Sequence, residues 1–432
     1  MKRIIAVLLA LVMVLGLFAA CGGGDNDTPA TPAPATPAPA TNGDAGDDGG
    51  DEAPAAGETL LIGAITSLSG ALQDYGEQFQ RGFYLGLEYM TDGTMTVAGR
   101  PIEITWEDTT NTPAVAAERT LALLERGVEI VTGFAASGDA MASLALFEEF
   151  QTVAVIEPAA ADGIIMYPNW NEYIFRTGRT SGQDALAMVD ILRTRYPDGD
   201  ATIGVIAPDS TFGFAMTEPF VAAAEAAGFE IIQTEFAPVD ATDFTPFILR
   251  LRDAAPDYLY TVWAGANSPY PQMMELDLPG AGITIITGAP ELEALRAMLP
   301  LGHIGGIGFC VYYYTLPQNE PMNEWLIEHY MARHGQQPDI FVSGGMAAAS
   351  AIITALELTN GVTDPAVLIP TMRGMEFNSP TGMRWFRYED HQAMQPLFEI
   401  EFTAPEGADH LVPRWVRTIP AESIMPPIMN QP

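Results

Sequence analysis

Lysine is nearly absent from this chain of 432 residues. Lys2 is the single one, and the 19 basic residues face 55 acidic ones for a formal charge of −36. So acidic a surface offers no basic footprint for phosphate, which excludes nucleic acid as a partner. It equally excludes docking on anionic lipid through the protein surface. Cysteine is scarce too: Cys21 and Cys310 are the two present, and Cys310, in the apolar run GIGFCVYYYT, reads as a buried strand residue. The five histidines, His303, His329, His334, His391 and His410, are scattered. His329 and His334 are five apart and fall on different helix faces, so no metal pair is expected. There is no Gly-x-Ser-x-Gly elbow, no Walker glycine–lysine loop, and no Gly-x-Gly-x-x-Gly between the first strand and helix. The pattern is that of a non-enzyme without metal or cofactor, and its 20 methionines read as adaptable core.

What is present begins with Lys2, Arg3 and an apolar run from Ile4 to Phe18 that closes on Ala19-Ala20-Cys21. The run is too short for a membrane span and ends in small residues, so it reads as a secretory signal peptide, 1–21. Leu17-Phe18-Ala19-Ala20-Cys21 followed by Gly22 resembles the bacterial lipoprotein signal. That resemblance implies lipid on Cys21, an extracytoplasmic location, and a tether to the cell membrane; with Cys21 lipidated no intramolecular disulfide is possible. Residues 22–57 hold TPATPAPATPAPAT and GDAGDDGGDE, with no aromatic and no large aliphatic side chain. Such a stretch buries too little apolar surface to offset backbone ordering and reads as a disordered spacer.

From Glu58 onward there is length for two domains. Apolar runs alternate with amphipathic ones: TLLIGAI (59–65), IEITWED (102–108), VEIVTGF (128–134) and TVAVIEP (152–158) read as strands with helices between. The rhythm repeats in ATIGVIAP (201–208), FEIIQTEF (229–236), DYLYTVW (257–263), GITIITG (282–288) and GGIGFCVYYYT (305–315). Two further helices follow, near 323–335 and 344–359, and MRWFRYEDHQAMQPLFEIEFT alternates like a strand pair around a polar turn. Strands this apolar with helical crossovers imply α/β architecture with parallel sheets covered on both faces. IFRTGRTSG (174–182) reads as the join between two units.

The order and spacing of IGAITSLSGALQDYGEQFQRGFYLGLEYM, GRPIEITWEDTTNTPAVAAERTLALL, VTGFAASGDAMASLALFEE, YIFRTGRTSGQDA, PDSTFGFAM, ATDFTPFILRLRDAAPDYLY and SPTGMRWFRYEDHQAMQPLFEI resemble the leucine/isoleucine/valine-binding family of type I periplasmic solute-binding proteins. The resemblance covers nearly everything after the spacer. It implies two doubly wound parallel-sheet lobes joined by three hinge crossovers, with lobe one at 59–177 plus 310–392 and lobe two at 178–309 plus 393–432. It further implies a monomeric receptor of an ABC importer that hands its solute to permease subunits.

Ligands of open α/β sheets bind beyond the carboxyl ends of the strands, at helix N-termini. Ser137 and Gly138, after VEIVTGF, form such a place for a carboxylate, although Ser137 read alone serves equally as a helix cap. By resemblance, Ala159 in the next loop offers backbone groups, and Ala161 stands where the family has a threonine, so that hydroxyl contact is lost. Tyr75 matches an aromatic wall, and Phe212 replaces a tyrosine in lobe two. The family's next tyrosine falls near Ala264 or Gly265, where Trp263 or Tyr270 stands in. Glu291 matches an acid that pairs with a ligand ammonium. The departures at Ala161 and near Gly265 widen the expected solute from a branched-chain amino acid to another amino acid, an amide or an aromatic acid. The rival functions are a ligand-sensing module of a signalling system and, less favoured, a surface α/β hydrolase. Cys21→Ser is expected to move the protein from the membrane fraction to the soluble one; an unchanged partition on fractionation contradicts the lipoprotein assignment.

Overall fold

The computed structural model describes residues 57–265, 267–301, 306–316 and 320–431. The leader with Cys21, the spacer through residue 56 and His303 lie outside the described residues.

The first half of the folded chain is β1 (Leu60–Thr66), α1 (Gln73–Met90), β2 (Thr96–Val97), β3 (Arg100–Asp108), α2 (Pro113–Glu125), β4 (Ile130–Gly133), α3 (Ser137–Glu149), β5 (Val153–Ile156) and β6 (Ile174–Arg176). These strands form one sheet in the order β2-β3-β1-β4-β5-β6. The second series is α4 (Ser181–Arg195), β7 (Thr202–Pro208), α5 (Thr211–Ala226), β8 (Glu230–Ala237), α6 (Thr245–Ala254), β9 (Tyr258–Thr261), α7 (Tyr270–Glu275), β10 (Thr284–Gly288), α8 (Leu292–Met298) and β11 (Ile307–Cys310). The chain then returns to the first sheet with α9 (Pro321–His334), α10 (Ile340–Leu358) and α11 (Pro365–Met372). After these come β12 (Glu376–Phe377), β13 (Arg384–Phe386), β14 (Ala393–Met394), β15 (Leu397–Thr403) and β16 (Val412–Ile419). The second sheet runs β16-β15-β11-β10-β9-β7-β8, and β12-β13-β14 make a small third sheet.

Strand alternation explains the layering. In β1, Leu60 and Ile62 face a core shared with Phe83 and Ile352, whereas Ile65 faces Val131 and Leu144 on the opposite side. In β7, Ile203 and Val205 meet Phe220 and Tyr260, while Ile206 meets Leu259 and Ile285. Both sheets are therefore apolar on both faces, as parallel strands with helical crossovers require.

The sheets are mixed rather than wholly parallel. β2 folds back antiparallel on β3, and β15 joins β11 antiparallel with β16 beyond it. A tight return places its strands antiparallel, which accounts for β2 with β3 and β15 with β16, whereas β15 reaches β11 only after the long excursion through α9–α11 and the small sheet. The polar turn after Arg384-Trp385-Phe386 does give a strand pair, β13 with β14, but LFEIEFT belongs to the second sheet. Among the described residues of the run 305–315, the strand covers only Ile307–Cys310; beyond it Tyr312 is buried with α9, its hydroxyl bonded to Asn323 Oδ1 at 2.9 Å. Cys310 is buried at the end of β11.

α10 is long and apolar enough to cross a membrane, yet it is almost wholly buried in the protein. It packs on α1 so closely that a Cβ at Gly82 would overlap the Val342 carbonyl, and one at Gly345 the Phe79 carbonyl. Glycine in both helices is what permits that approach.

Candidate functional site

In the parallel part of each sheet, the strands end at the same edge. On sheet one β4 delivers Phe134-Ala135-Ala136 to the start of α3, and β5 delivers residues 157–161. On sheet two β7 leads into α5, β9 into 262–265, and β10 into 289–291 ahead of α8. The two sets of loops face each other. Thr211 Oγ1 at the start of α5 lies 3.6 Å from the Cβ position of Gly138 in α3. Between the sets is a cavity of about 510 Å³, within the usual range for small-molecule sites.

Six of the eight expected contact residues line this cavity: Tyr75, Ser137, Gly138, Phe212, Trp263 and Glu291. Ser137 is not the cap of α3; that position is Ala136, and no side-chain cap bond forms. Its hydroxyl instead accepts the Ala161 N–H at 3.2 Å, which leaves the hydroxyl hydrogen free to donate. Ala159 and Ala161 are buried behind the wall formed by Pro158 and Ala160. The Ala159 N–H donates to the Phe134 carbonyl at 3.1 Å, and the Ala161 carbonyl accepts from Arg176 at 2.6 Å. Their backbone groups are thus already used within the fold. Tyr75 stacks on Phe341, ring centroids 3.9 Å apart, and its hydroxyl accepts the Gly265 N–H at 2.8 Å. Trp263 and Glu291 also wall a second cavity of about 270 Å³ that Tyr270 lines, and the Tyr270 hydroxyl is bonded to Thr287.

Sequence reasoning missed four neighbours. Phe341 and Asp339 arrive with the third segment of sheet one, far along the chain from Tyr75. Asp139 sits in the first turn of α3, next to Ser137. Arg179 lies in IFRTGRTSG, where a charged residue between two glycine- and threonine-rich pairs was legible as a site signal.

The electrostatics are those of buried acids. Burial pushes the Glu291 carboxyl up to about 8, and the charge of Asp339 adds to it, against the pull of its own backbone N–H and the Tyr75 hydroxyl. Asp339 is itself raised by burial although it accepts the Leu292 N–H at 2.9 Å. Burial lifts Asp139 to about 6, with the charge of Asp108 contributing. No reactive pair of nucleophile and base faces the cavity among the described residues; its lining is apolar and aromatic with a few convergent polar groups.

Two α/β sheets that close a polar-ended apolar cavity between their strand ends define a binding protein with its ligand held between halves. The chain belongs to the periplasmic binding protein family, whose pattern it matches over residues 59–406. It is similar to a Leu/Ile/Val-binding protein homolog 6 of Brucella abortus, 23% identical over 337 residues that span 76% of this chain and 83% of that protein. It is similar in structure to an ABC-type branched-chain amino acid transporter protein of Rhodopseudomonas palustris CGA009. That match has a TM-score of 0.74 and 36% identity, covering 86% of this chain and all of the other. A solute-binding protein of Rhodopseudomonas palustris BisB5, in complex with 3,4-dihydroxybenzoic acid, superposes with a TM-score of 0.75 at 24% identity, covering 84% and 98% of the two chains. The fold is the type I periplasmic-binding-protein fold, and the family is one of non-enzymatic, extracytoplasmic solute binders.

A carboxyl whose pKa is higher folded than unfolded holds its proton in the native state. Its contribution to stability is complete below the ordinary 4.5 and is lost as pH rises through about 8. Glu291→Gln keeps the shape of the protonated acid. In denaturant titrations without solute, the variant should lose up to about 1.4 kcal/mol less per pH unit than the parent across this window. Parallel curves for the two proteins contradict the assignment.

Proposed function

We propose that this chain is the solute receptor of an ABC importer, held outside the cell by lipid on Cys21 and a spacer through residue 57. It captures an amino acid or an aromatic acid between its two sheets and releases it unchanged to permease subunits. The observation that carries this reading is the cavity of about 510 Å³ walled by polar groups from both sheets, Ser137 on one and Glu291 on the other. A solute that touches both stabilises the closed arrangement over an open one, because it gains contacts only when the halves meet.

The division of labour follows from the lining. Ser137 and the N-terminus of α3 suit a carboxylate, since free N–H groups and the helix dipole favour negative charge there. Tyr75, Phe212 and Trp263 provide flat apolar walls. Glu291 supplies the polar contact from the second sheet. The relatives named above support both solute classes: one is described as a branched-chain amino acid transporter protein, another is bound to a dihydroxybenzoic acid.

A ligand that binds only the folded state raises the melting temperature by mass action. In a thermal-shift panel of amino acids, amides and aromatic acids, one class should raise the melting temperature by several degrees, and Ser137→Ala should remove most of that rise. A full response from the variant contradicts the role of Ser137. No response of the parent to any member contradicts the receptor reading.

A further inference from the structure

The cavity has one cation. Asp139, Asp240 and Glu291 line it as acids, and Arg179 is the sole basic residue among the described residues that do so. Arg179 sits in the crossover from β6 to α4, directly before Thr180. That threonine caps α4 and forms a reciprocal capping box with Gln183, which fixes the backbone on which Arg179 stands. Its Nε donates to Asp184 Oδ2 at 2.8 Å in the first turn of α4.

The other edge of this guanidinium is unspent. Neither Nη group of Arg179 has a hydrogen-bond partner among the described residues. Two other buried arginines nearby contrast with it. Arg384 donates to Ser379, Thr177 and Thr381, and Arg387 to Asp390 and the Pro426 carbonyl. Those two hold the fold together, whereas Arg179 turns half a fork toward the cavity. Its side chain is only 11% exposed, so water satisfies it poorly and a ligand anion there gains strength from the low dielectric. Asp184 and Glu157 keep it charged against that burial.

We propose that Arg179 grips the carboxylate of the solute through its free Nη groups, and that the solute is a carboxylic acid with a flat apolar body. The inference rests on the reading of this cavity as the solute site. A guanidinium matches a carboxylate two bonds at a time, and it is the one full positive charge on a described lining residue, adding to what the Ser137 hydroxyl and the start of α3 offer an anion. The flat body follows from the walls: Tyr75 stacked with Phe341, then Phe212, Trp263 and Pro113. Glu291 stands beside a second buried acid, Asp339, and holds its proton at neutral pH. It therefore offers such a solute a hydrogen bond rather than a counter-charge, and no ammonium group is needed.

Isothermal titration of the full chain, stripped of any carried-over solute, with benzoate, benzamide and L-leucine tests this. Benzoate should bind the parent, and benzamide, of the same shape without the charge, at least about tenfold more weakly. Arg179→Gln should weaken benzoate by about 10-fold to 100-fold, as loss of a charge-assisted pair predicts, and leave benzamide within about threefold. Because Arg179→Gln leaves Asp184 buried without its partner, the double variant R179Q/D184N serves as the folded control and should behave the same. Equal benzoate affinity in the parent and in both variants overturns the role of Arg179. Binding of L-leucine without benzoate overturns the solute class while leaving the cavity as the site. Binding of none of the three overturns both the inference and the reading beneath it.

Discussion

The amide of Gly265 donates to the Tyr75 hydroxyl across 2.8 Å, and that bond joins a loop of the second sheet to the first helix of the first. Leu292 N–H makes a parallel link to Asp339, the residue that also caps α10. Both bonds tie the second sheet to the helices of the first beside the cavity that the strand ends of the two sheets face. Gly265 has φ of +83°, and a Cβ there would come within 2.8 Å of the Ala71 carbonyl. No other residue type lets the loop come so near, so the closure of the cleft depends on a missing side chain as much as on any contact.

Behind the cleft the crossovers are tied to one another by buried charge. Arg176 Nε donates to Gln392 Oε1 at 2.6 Å, and Gln392 Nε2 donates to the Gly178 carbonyl at the same distance. Arg384 Nη1 reaches the Thr177 carbonyl at 2.9 Å. The segment leaving β6 and the segment leading to β15 are therefore one hydrogen-bonded joint. Burial lowers Arg176 and Arg384 to about 10, still charged at neutral pH. Removing a partner from such a group leaves a desolvated charge, which costs far more than an exposed pair returns. A joint of this kind resists local fraying.

Much of this was legible in the sequence. The alternation of apolar and amphipathic runs marks nearly every parallel strand and its helix, because burial on both faces leaves long Val/Ile/Leu stretches with no other reading. Ser137 and Gly138 are legible for a related reason: they open the helix that follows a strand end, where local order and spatial position coincide, whereas Glu291 was legible only through the family resemblance. α4 is harder to see, since most of its circumference is buried and its periodicity is faint. Phe341 and Asp339 carry no local signal, because only the third pass of the chain brings them beside Tyr75. Ala159 and Ala161 follow a strand end too, yet their groups turn inward to Phe134 and Arg176, a matter of loop geometry that spacing does not encode. Arg179 is half legible: its charge is plain, but that Asp184 takes only one edge of it is visible only in three dimensions.

In the proposed function the ligand bridges the two sheets, and a crystal structure of the solute-bound protein tests that most directly. Electron density is expected inside the cavity, within hydrogen-bond distance of Ser137 or Arg179 on one side and of Glu291 on the other. Density confined to the loops of a single sheet, or seated outside the cavity, would contradict it.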